Sequence, residues 1–481
     1  MDLQSKRKIV LPVMTVTKVC SAADDGAVLV INPAGNYFCR PLLLDDHPLS
    51  QHMGFNYNLY PVVLDTAGVP WDVANIYILS LLQGQSSPNM ATYNGIADDL
   101  GAFREFLDEK KIDFTDFPQM KLKRPTYRYN GYLKGLIFSG DLAPGTAKRR
   151  MSCVVRFYRW LVQEGIMRFA NDPWQEREFF LSFKDSTGFE RSKVIKTTDV
   201  SVKAPVNVDP FDGRIDDGGK LRPLTPDEQM WVKEALINLG NSEMLLIHVF
   251  ALLTGARIQT ASTLRVRHMD MEIPLAVKEH ILKAGPGTDI DTKFDKQLSL
   301  HVPRELCHLL RVYSMSDRAK KRRTKAPGGD TREQYLFLTQ QGSPYYEGKS
   351  TTQVFDPDFK LHHRKKAQTV RQFITDHMIP YIRKHHDPQF HYQFHDLRAS
   401  YGMNLTDIQL QLVTAGKITL TQARHFVQKR MGHESSATTD RYLDYRAHMK
   451  MVWAAVDGYE TFVRELIDAA TKGTFDVDAA P

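Results

Sequence analysis

Three short segments toward the C-terminal end hold side chains whose types and order can do chemistry together. LLTGARIQTASTLRVRHMD places Arg257 just after Thr254-Gly255 in an apolar, helix-like context. FHDLRASYGMNL holds His395 and Arg398, and MGHESSATTDRYLDY holds His433 and Tyr442. A guanidinium keeps its charge at any working pH and offers two parallel donors, so arginines from separate segments can clamp the non-bridging oxygens of a phosphate. A tyrosine hydroxyl, with a pKa of about 10, is a poor nucleophile until a base or a strong positive field assists it. With 17 histidines in an arginine-rich chain, a lone His-x-x-Arg pair is expected by chance. The information lies in the order: an arginine, then the His-x-x-Arg pair, then Gly-His followed at fixed reach by a tyrosine.

These motifs resemble those of the tyrosine recombinase, or phage-integrase, family. TGARIQTASTLRVRH is similar to the family's TGxRxxE-xxxL segment, HDLRAS to its HxLR box, and MGHESSATTDRYLDY to its LGH-SS-x-x-TT-x-x-Y signature with Met431 for Leu. In the last, Gly432, His433, Ser435, Thr438, Thr439 and Tyr442 all fall in register; the neighbouring Tyr445 does not. The resemblance covers about 225–450 and, more loosely, the helical region before it. It implies Arg257 and Arg398 as the phosphate clamp, His395 as the base, His433 as a hydrogen-bond donor to the phosphate, and Tyr442 as the nucleophile. The departing 5′ oxygen needs a proton, which the family takes from a β-hairpin lysine. DTKFDKQLSLHVP aligns there without gaps and implies Lys293, with Lys296 and Lys283 as alternatives. Thr260 stands where many members carry an acid, and the chain between Arg398 and Met431 is several residues longer than in compact members, around GKITLTQ.

The implied reaction is cleavage and rejoining of DNA through a covalent 3′-phosphotyrosine, giving integration or excision of a mobile element. It needs no ATP, because the intermediate keeps the energy of the broken bond, and no metal or other cofactor, because arginines carry the charge work. KHHDPQFHYQFHD gathers His385, His386, His391 and His395 but lacks clustered Cys or a His-Glu-x-x-His spacing, so a metal site is not expected. Competing readings are a type IB topoisomerase-like nicking and closing activity, and a non-catalytic DNA-binding regulator on the same scaffold. The expected partners are double-stranded DNA recombination sites, further copies of the chain in a homo-tetramer on synapsed DNA, and an accessory directionality factor.

The elements that must position these groups read as mainly α with small β elements (α+β): a SAM-like helical core-binding domain followed by a tyrosine-recombinase catalytic domain. Residues 1–70 read as an extension with short strands, such as Val28–Ile31 before Asn32-Pro33 and Tyr37–Cys39 after Gly35-Asn36. Over 71–183 the period turns helical: Ile96, Leu100, Phe103 and Leu107 share one face, and a second helix opening at Thr146 buries Met151, Val154, Tyr158 and Leu161. Lys121, Lys123, Arg124, Arg128, Lys148, Arg149, Arg150 and Arg156 are the candidate phosphate contacts here, with Tyr127, Tyr129 and Tyr132 placed to pack on sugars. Residues 184–224 show no sustained apolar period and read as an interdomain linker.

The catalytic domain, 225–450, opens with a capping box at Thr225, Pro226 and Glu228 and is mostly helical apart from a β region near 280–302. RAKKRR, Arg318 to Arg323, reads as a basic surface loop. Beyond it, 451–481 reads as a helix and tail whose stripe of Val452, Ala455, Tyr459, Phe462 and Leu466 fits exchange between protomers or packing on its own domain.

Bulk composition is consistent with this. Across 481 residues, 63 Lys and Arg against 56 Asp and Glu leave a net charge of +7, which favours a polyanionic partner. Cys20, Cys39, Cys153 and Cys307 lie far apart and read as reduced thiols. No apolar run is long enough for a membrane span. A cytoplasmic, nucleoid-associated protein is expected.

Overall fold

Short β-branched runs near the N-terminus form strands where the turn signals place them. In the computed structural model, which describes residues 7–31, 35–41, 56–83, 85, 88–184, 190–203, 212–349 and 365–474, these are β1 (Lys8–Thr15), β2 (Thr17–Cys20), β3 (Val28–Val30), β4 (Tyr37–Pro41) and β5 (Asn56–Val63). β1 pairs antiparallel with β5, and β4 lies between β2 and β3 in a separate small sheet. The chain divides at 207/208 into two compact units.

In the first unit, α1 (Asp72–Leu82), α2 (Met90–Glu109), α3 (Pro125–Phe138) and α4 (Pro144–Gln163) enclose an aromatic core. Leu100, Phe103 and Leu107 of α2 and Met151, Val154, Tyr158 and Leu161 of α4 are buried in it. Trp71 meets Phe114 and Phe157 edge-on, both at 5.4 Å between ring centroids. Tyr57, Tyr60 and Val63 of β5 belong to this same core, so the end of the stretch expected as a separate extension packs with the helices. α4 begins two residues before Thr146, with Pro144 in its first turn, because proline's fixed φ suits a helix start where no N–H partner is needed.

β6 (Glu176–Lys184) and β7 (Glu190–Thr198) form an antiparallel hairpin, and Ile215–Asp216 (β8) with Lys220–Leu221 (β9) form a second. β7 and the second hairpin fall in the stretch expected as linker. The first hairpin is stabilised by cross-strand partners, such as Glu178 paired with Lys196 at 3.1 Å, that periodicity along one strand does not reveal.

The second unit is built around α6. α5 (Pro226–Asn238) opens with the expected capping box, Thr225 and Glu228 each accepting from the other's backbone N–H. α6 (Ser242–Thr254), SEMLLIHVFALLT, is apolar on nearly every face and runs through the core. α7 (Ile258–Ser262) follows, then the antiparallel pair β10 (Glu279–Ala284) and β11 (Leu298–Pro303), then α8 (Arg304–Met315) and α9 (Asp317–Lys325). α10 (Gln368–Phe373) runs through a π turn at Ile374–Met378 into α11 (Ile379–His385). The last three helices are α12 (Asp396–Thr414), α13 (Leu420–Met431) and α14 (Ser436–Thr474).

RAKKRR is helical in α9 rather than a loop. Glu243, 0% exposed in the first turn of α6, is bonded by Arg318 and Tyr313 and ion-paired with Arg322. Arg323 is likewise buried, on Asp330 and the Ser314 carbonyl. A buried carboxylate must be compensated, and this basic run compensates it. α14 continues unbroken from the tyrosine motif toward the C-terminus. The side chains of Val452, Ala455, Phe462 and Leu466 lie outside the described residues, while Tyr459 is exposed. Among the described residues no helix is long and apolar enough to cross a membrane, and no cluster of three or more potential metal ligands occurs.

Candidate active site

Helix ends of the second unit bring the motif residues together. α6 and α13 both terminate on a left-handed glycine, Gly255 (φ 69°) and Gly432 (φ 65°), a conformation that other residues adopt only at a cost. Each turn then delivers the next functional residue: Arg257 at the N-terminus of α7 and His433 ahead of α14. Arg398, in the first turn of α12, ties both ends in place. Its Nη1 donates to the Gly255 carbonyl at 2.9 Å and its Nη2 to the Met431 carbonyl at 2.8 Å, so a cation meets two helix C-termini. Asp396 of the same turn accepts from the Arg222 and Gln393 N–H groups, each within hydrogen-bond distance, and Ser400 accepts from Leu224 N at 2.8 Å. The chain leaving β9 is thereby fixed to α12.

The centre of the arrangement is a residue the sequence motifs do not include. Asp217, in the β8–β9 turn, is buried, and Arg398 Nε donates to its Oδ2 at 2.8 Å. His433 Nε2 lies 3.3 Å from the same oxygen, and the Tyr442 hydroxyl donates to it at 3.1 Å. Arg257 Nη2 is 3.5 Å from Oδ1. Thus Arg257, Arg398, His433 and Tyr442 converge on one carboxylate. Burial pushes the Asp217 carboxyl up, but the His433 hydrogen bond and the charges of Arg398 and Arg257 outweigh it and hold the group well below the usual carboxylate range. Burial, then the adjacent Asp217 charge, pushes the Tyr442 hydroxyl well above its ordinary value. Burial and the neighbouring Arg398 lower Arg257 to about 10, which leaves it charged at neutral pH.

Supporting contacts set each side chain. His433 Nδ1 lies 3.0 Å from the Thr439 hydroxyl, which is itself fully buried. Tyr442 is 0% exposed, and its ring lies against Gly402 of α12, where any Cβ would overlap ring carbons Cε1 and Cδ1. Thr260 donates to the Asp291 carbonyl at 2.8 Å, which ties α7 to the loop between β10 and β11. That loop carries Lys293, whose Nζ donates to the Gly218 carbonyl at 3.3 Å. Lys296 is paired with Glu434 at 2.8 Å, and Lys283 is exposed on β10 opposite Ser299. A cleft of about 210 Å³ opens beside Asp217 and is lined by Arg257, Lys293, Lys296, Arg398 and His433, but not by Lys283.

His395 departs from the expected arrangement. It makes no hydrogen bond to Tyr442; its Nε2 is buried without a partner, and it lines a different cavity of about 470 Å³ with Arg371 and Tyr392. Burial, then the charges of Arg257 and Arg398, lowers it to about 4, so the ring is neutral at pH 7. The group that takes the Tyr442 hydrogen bond is Asp217. IDDGG reads in sequence as a turn, and nothing local marks its carboxylate as part of a site.

The basic surface of the first unit also divides. Lys121, Lys123, Arg128, Lys148 and Arg156 are exposed, and Arg150 is half-buried. Arg149 pairs with the buried Asp99 at 3.1 Å. Arg124 is a correction: its guanidinium is buried on the carbonyls of Pro118, Gln119 and Asp172, where it closes a loop and cannot meet a phosphate. The interleaved tyrosines face inward as well, Tyr129 being 0% exposed and Tyr127 donating to Asp199. Arginine's fork fits a cage of carbonyls as well as a phosphate, and composition alone does not distinguish the two.

No family model and no curated protein matches the chain. Among solved structures it is similar to the XerH site-specific recombinase bound to its difH substrate, at 13% identity and TM-score 0.43, over 79% of this chain and 88% of that one. A lambda integrase dimer bound to a core site is 14% identical with TM-score 0.42, over 78% of this chain and 95% of that one. The Tn1549 transposon integrase with circular-intermediate DNA is 15% identical with TM-score 0.43, over 79% and 99%.

Proposed function

We propose that the chain is a tyrosine recombinase that cleaves and rejoins DNA through a 3′-phosphotyrosine at Tyr442. One observation carries the reading: Tyr442, Arg257, Arg398 and His433, from three separate segments, all reach a single buried anion. Two guanidinium groups and an imidazole around one oxyanion suit the charge carried by the non-bridging oxygens of a phosphate in transfer. A phenol held within hydrogen-bond distance of that oxyanion is close to the attack position.

In the proposed reaction the Tyr442 oxygen gives its proton to a base, with neutral His395 the motif's candidate, and attacks phosphorus. The bond to the 5′ oxygen breaks as that oxygen takes a proton from Lys293. The products are a phosphotyrosine and a free 5′-hydroxyl, and attack by a 5′-hydroxyl reverses the step. Arg257 and Arg398 hold the non-bridging oxygens throughout, and His433 donates to one of them. Exposed Lys121, Lys123, Arg128, Lys148 and Arg156 would neutralise phosphates along the duplex. Assembly as a tetramer on paired sites, with a directionality factor, belongs to the same proposal.

The test is a denaturing gel of the full chain with a pool of nicked duplexes of mixed sequence, the nick letting the short 5′ fragment escape and trapping the adduct. Wild type is expected to form a covalent complex with DNA on Tyr442 by mass spectrometry. Tyr442→Phe should bind duplex as wild type does and form none. Arg257→Ala and Arg398→Ala should each reduce adduct formation by roughly 10²–10³. Attachment at another residue, or no attachment with binding intact, overturns the proposal.

A further inference from the structure

The reaction just described has no use for Asp217, yet every group in it that binds the phosphate is bound to Asp217. Its two carboxylate oxygens stand where two non-bridging oxygens of a phosphodiester would: Oδ2 within reach of Arg398, His433 and Tyr442, and Oδ1 toward Arg257. A carboxylate and a phosphodiester share one negative charge and a forked pair of acceptors. The same turn engages Lys293 as well, since the Gly218 carbonyl accepts from its Nζ. We propose that the β8–β9 turn is a built-in substrate mimic, in which Asp217 occupies the phosphate seat and closes it until the turn withdraws.

This rests on the reading that the seat is made for a phosphodiester, and it explains how the empty protein tolerates its own site. Arg257 and Arg398 are largely buried and like-charged, a costly pair without an anion between them. Asp217 supplies that anion when DNA is absent. The arms of the hairpin have anchors besides the Asp217 carboxylate. Ile215 packs in the small apolar cluster that contains Tyr401, Met431 and Tyr442, and Arg441 donates to the Asp216 carbonyl at 2.6 Å. The strands themselves are short, with Ile215 opposite Leu221 and Asp216 opposite Lys220. A turn on such short strands can be displaced without unravelling the helices that carry the catalytic groups. A permanent structural ion pair would behave differently, because an external anion could not replace it.

Full-length Asp217→Ala and Asp217→Asn are to be melted in chloride and in inorganic phosphate at matched ionic strength, beside wild type. Both variants are expected to melt lower in chloride and to regain stability saturably with phosphate, at concentrations at least about tenfold below any effect on wild type. The gain should vanish in a chain that also carries Arg398→Ala. On the nicked duplexes, both variants should form adduct at least about tenfold faster than wild type. Equal response of variants and wild type to phosphate overturns the mimic, as does failure of both variants to fold even with phosphate present. Phosphate rescue without any DNA adduct in any chain would uphold the seat-filling role of Asp217 and overturn strand transfer instead.

Discussion

At the residue scale, the position of the Tyr442 hydroxyl depends on what lies behind its ring as much as on what lies before it. Gly402 backs the ring so closely that a methyl group there would meet Cε1. Ala is a better helix former than Gly, by about 1 kcal/mol, so the propensity change alone favours the variant, while overpacking costs about 1–3 kcal/mol. Gly402→Ala should therefore leave thermal stability nearly unchanged or slightly lower and push the nucleophile outward. Displacement by about 1 Å reduces reaction about a hundredfold. The expected result is a large loss of adduct with duplex binding intact; unchanged adduct yield would mean that the ring position is not critical. The motif segments were recognisable in sequence because their order and the spacing within each resemble those of one family, a pattern that is local to each segment. Asp217 was not legible. It reaches Arg398 across 181 residues and His433 across 216, and no pattern within its own turn records either contact.

At the element scale, the loop between β10 and β11 sets how Lys293 and Lys296, which both line the cleft, are held. Gly285 at its start crosses the Lys296 backbone so tightly that a Cβ would stand 2.6 Å from the carbonyl, and Thr292 donates to that same carbonyl. Lys296 is turned to Glu434 and Lys283 lies out on the strand, leaving Lys293 on the turn. If Lys293 protonates the departing 5′ oxygen, Lys293→Ala should slow cleavage by roughly 10²–10⁴. Replacing that bridging oxygen by sulfur should erase the defect, because a thiol of pKa about 8.5 leaves without a proton. Lys283→Ala should show no such pattern, and rescue confined to Lys296→Ala would move the role to Lys296. A β region near 280–302 could be read from alternation in sequence, and the choice of Lys293 within it came from the family resemblance. The basic runs could not: RAKKRR reads as a surface loop and Arg124 as a phosphate contact until the buried carboxylate and carbonyl partners of Arg318, Arg322, Arg323 and Arg124 are known.

At the scale of the whole molecule, the 63 basic residues divide between exposed cations and buried ones paired with acids, so their number alone overstates the surface available to DNA. Buried histidines add a second electrostatic feature, visible only in the fold. His248, 1% exposed in α6 with its ring on the Met244 carbonyl, is lowered by burial to about 4; burial also brings His268 and His395 to about 4. In the unfolded chain each would titrate near 6.5, as free histidine does. Below that value the unfolded state takes up protons that the folded state refuses. The stability these neutral rings contribute is therefore complete above about pH 6.5 and lost as pH falls toward 4. For His248 alone the loss is on the order of 3 kcal/mol. Urea midpoints measured from pH 7.5 down to 4.5 should fall steadily through that window, and His248→Leu should flatten part of the slope. A midpoint that holds constant over the same range would mean that these rings are solvated or already charged in the folded state, and that burial in α6 is looser than the packing around Phe250 and Phe394 implies.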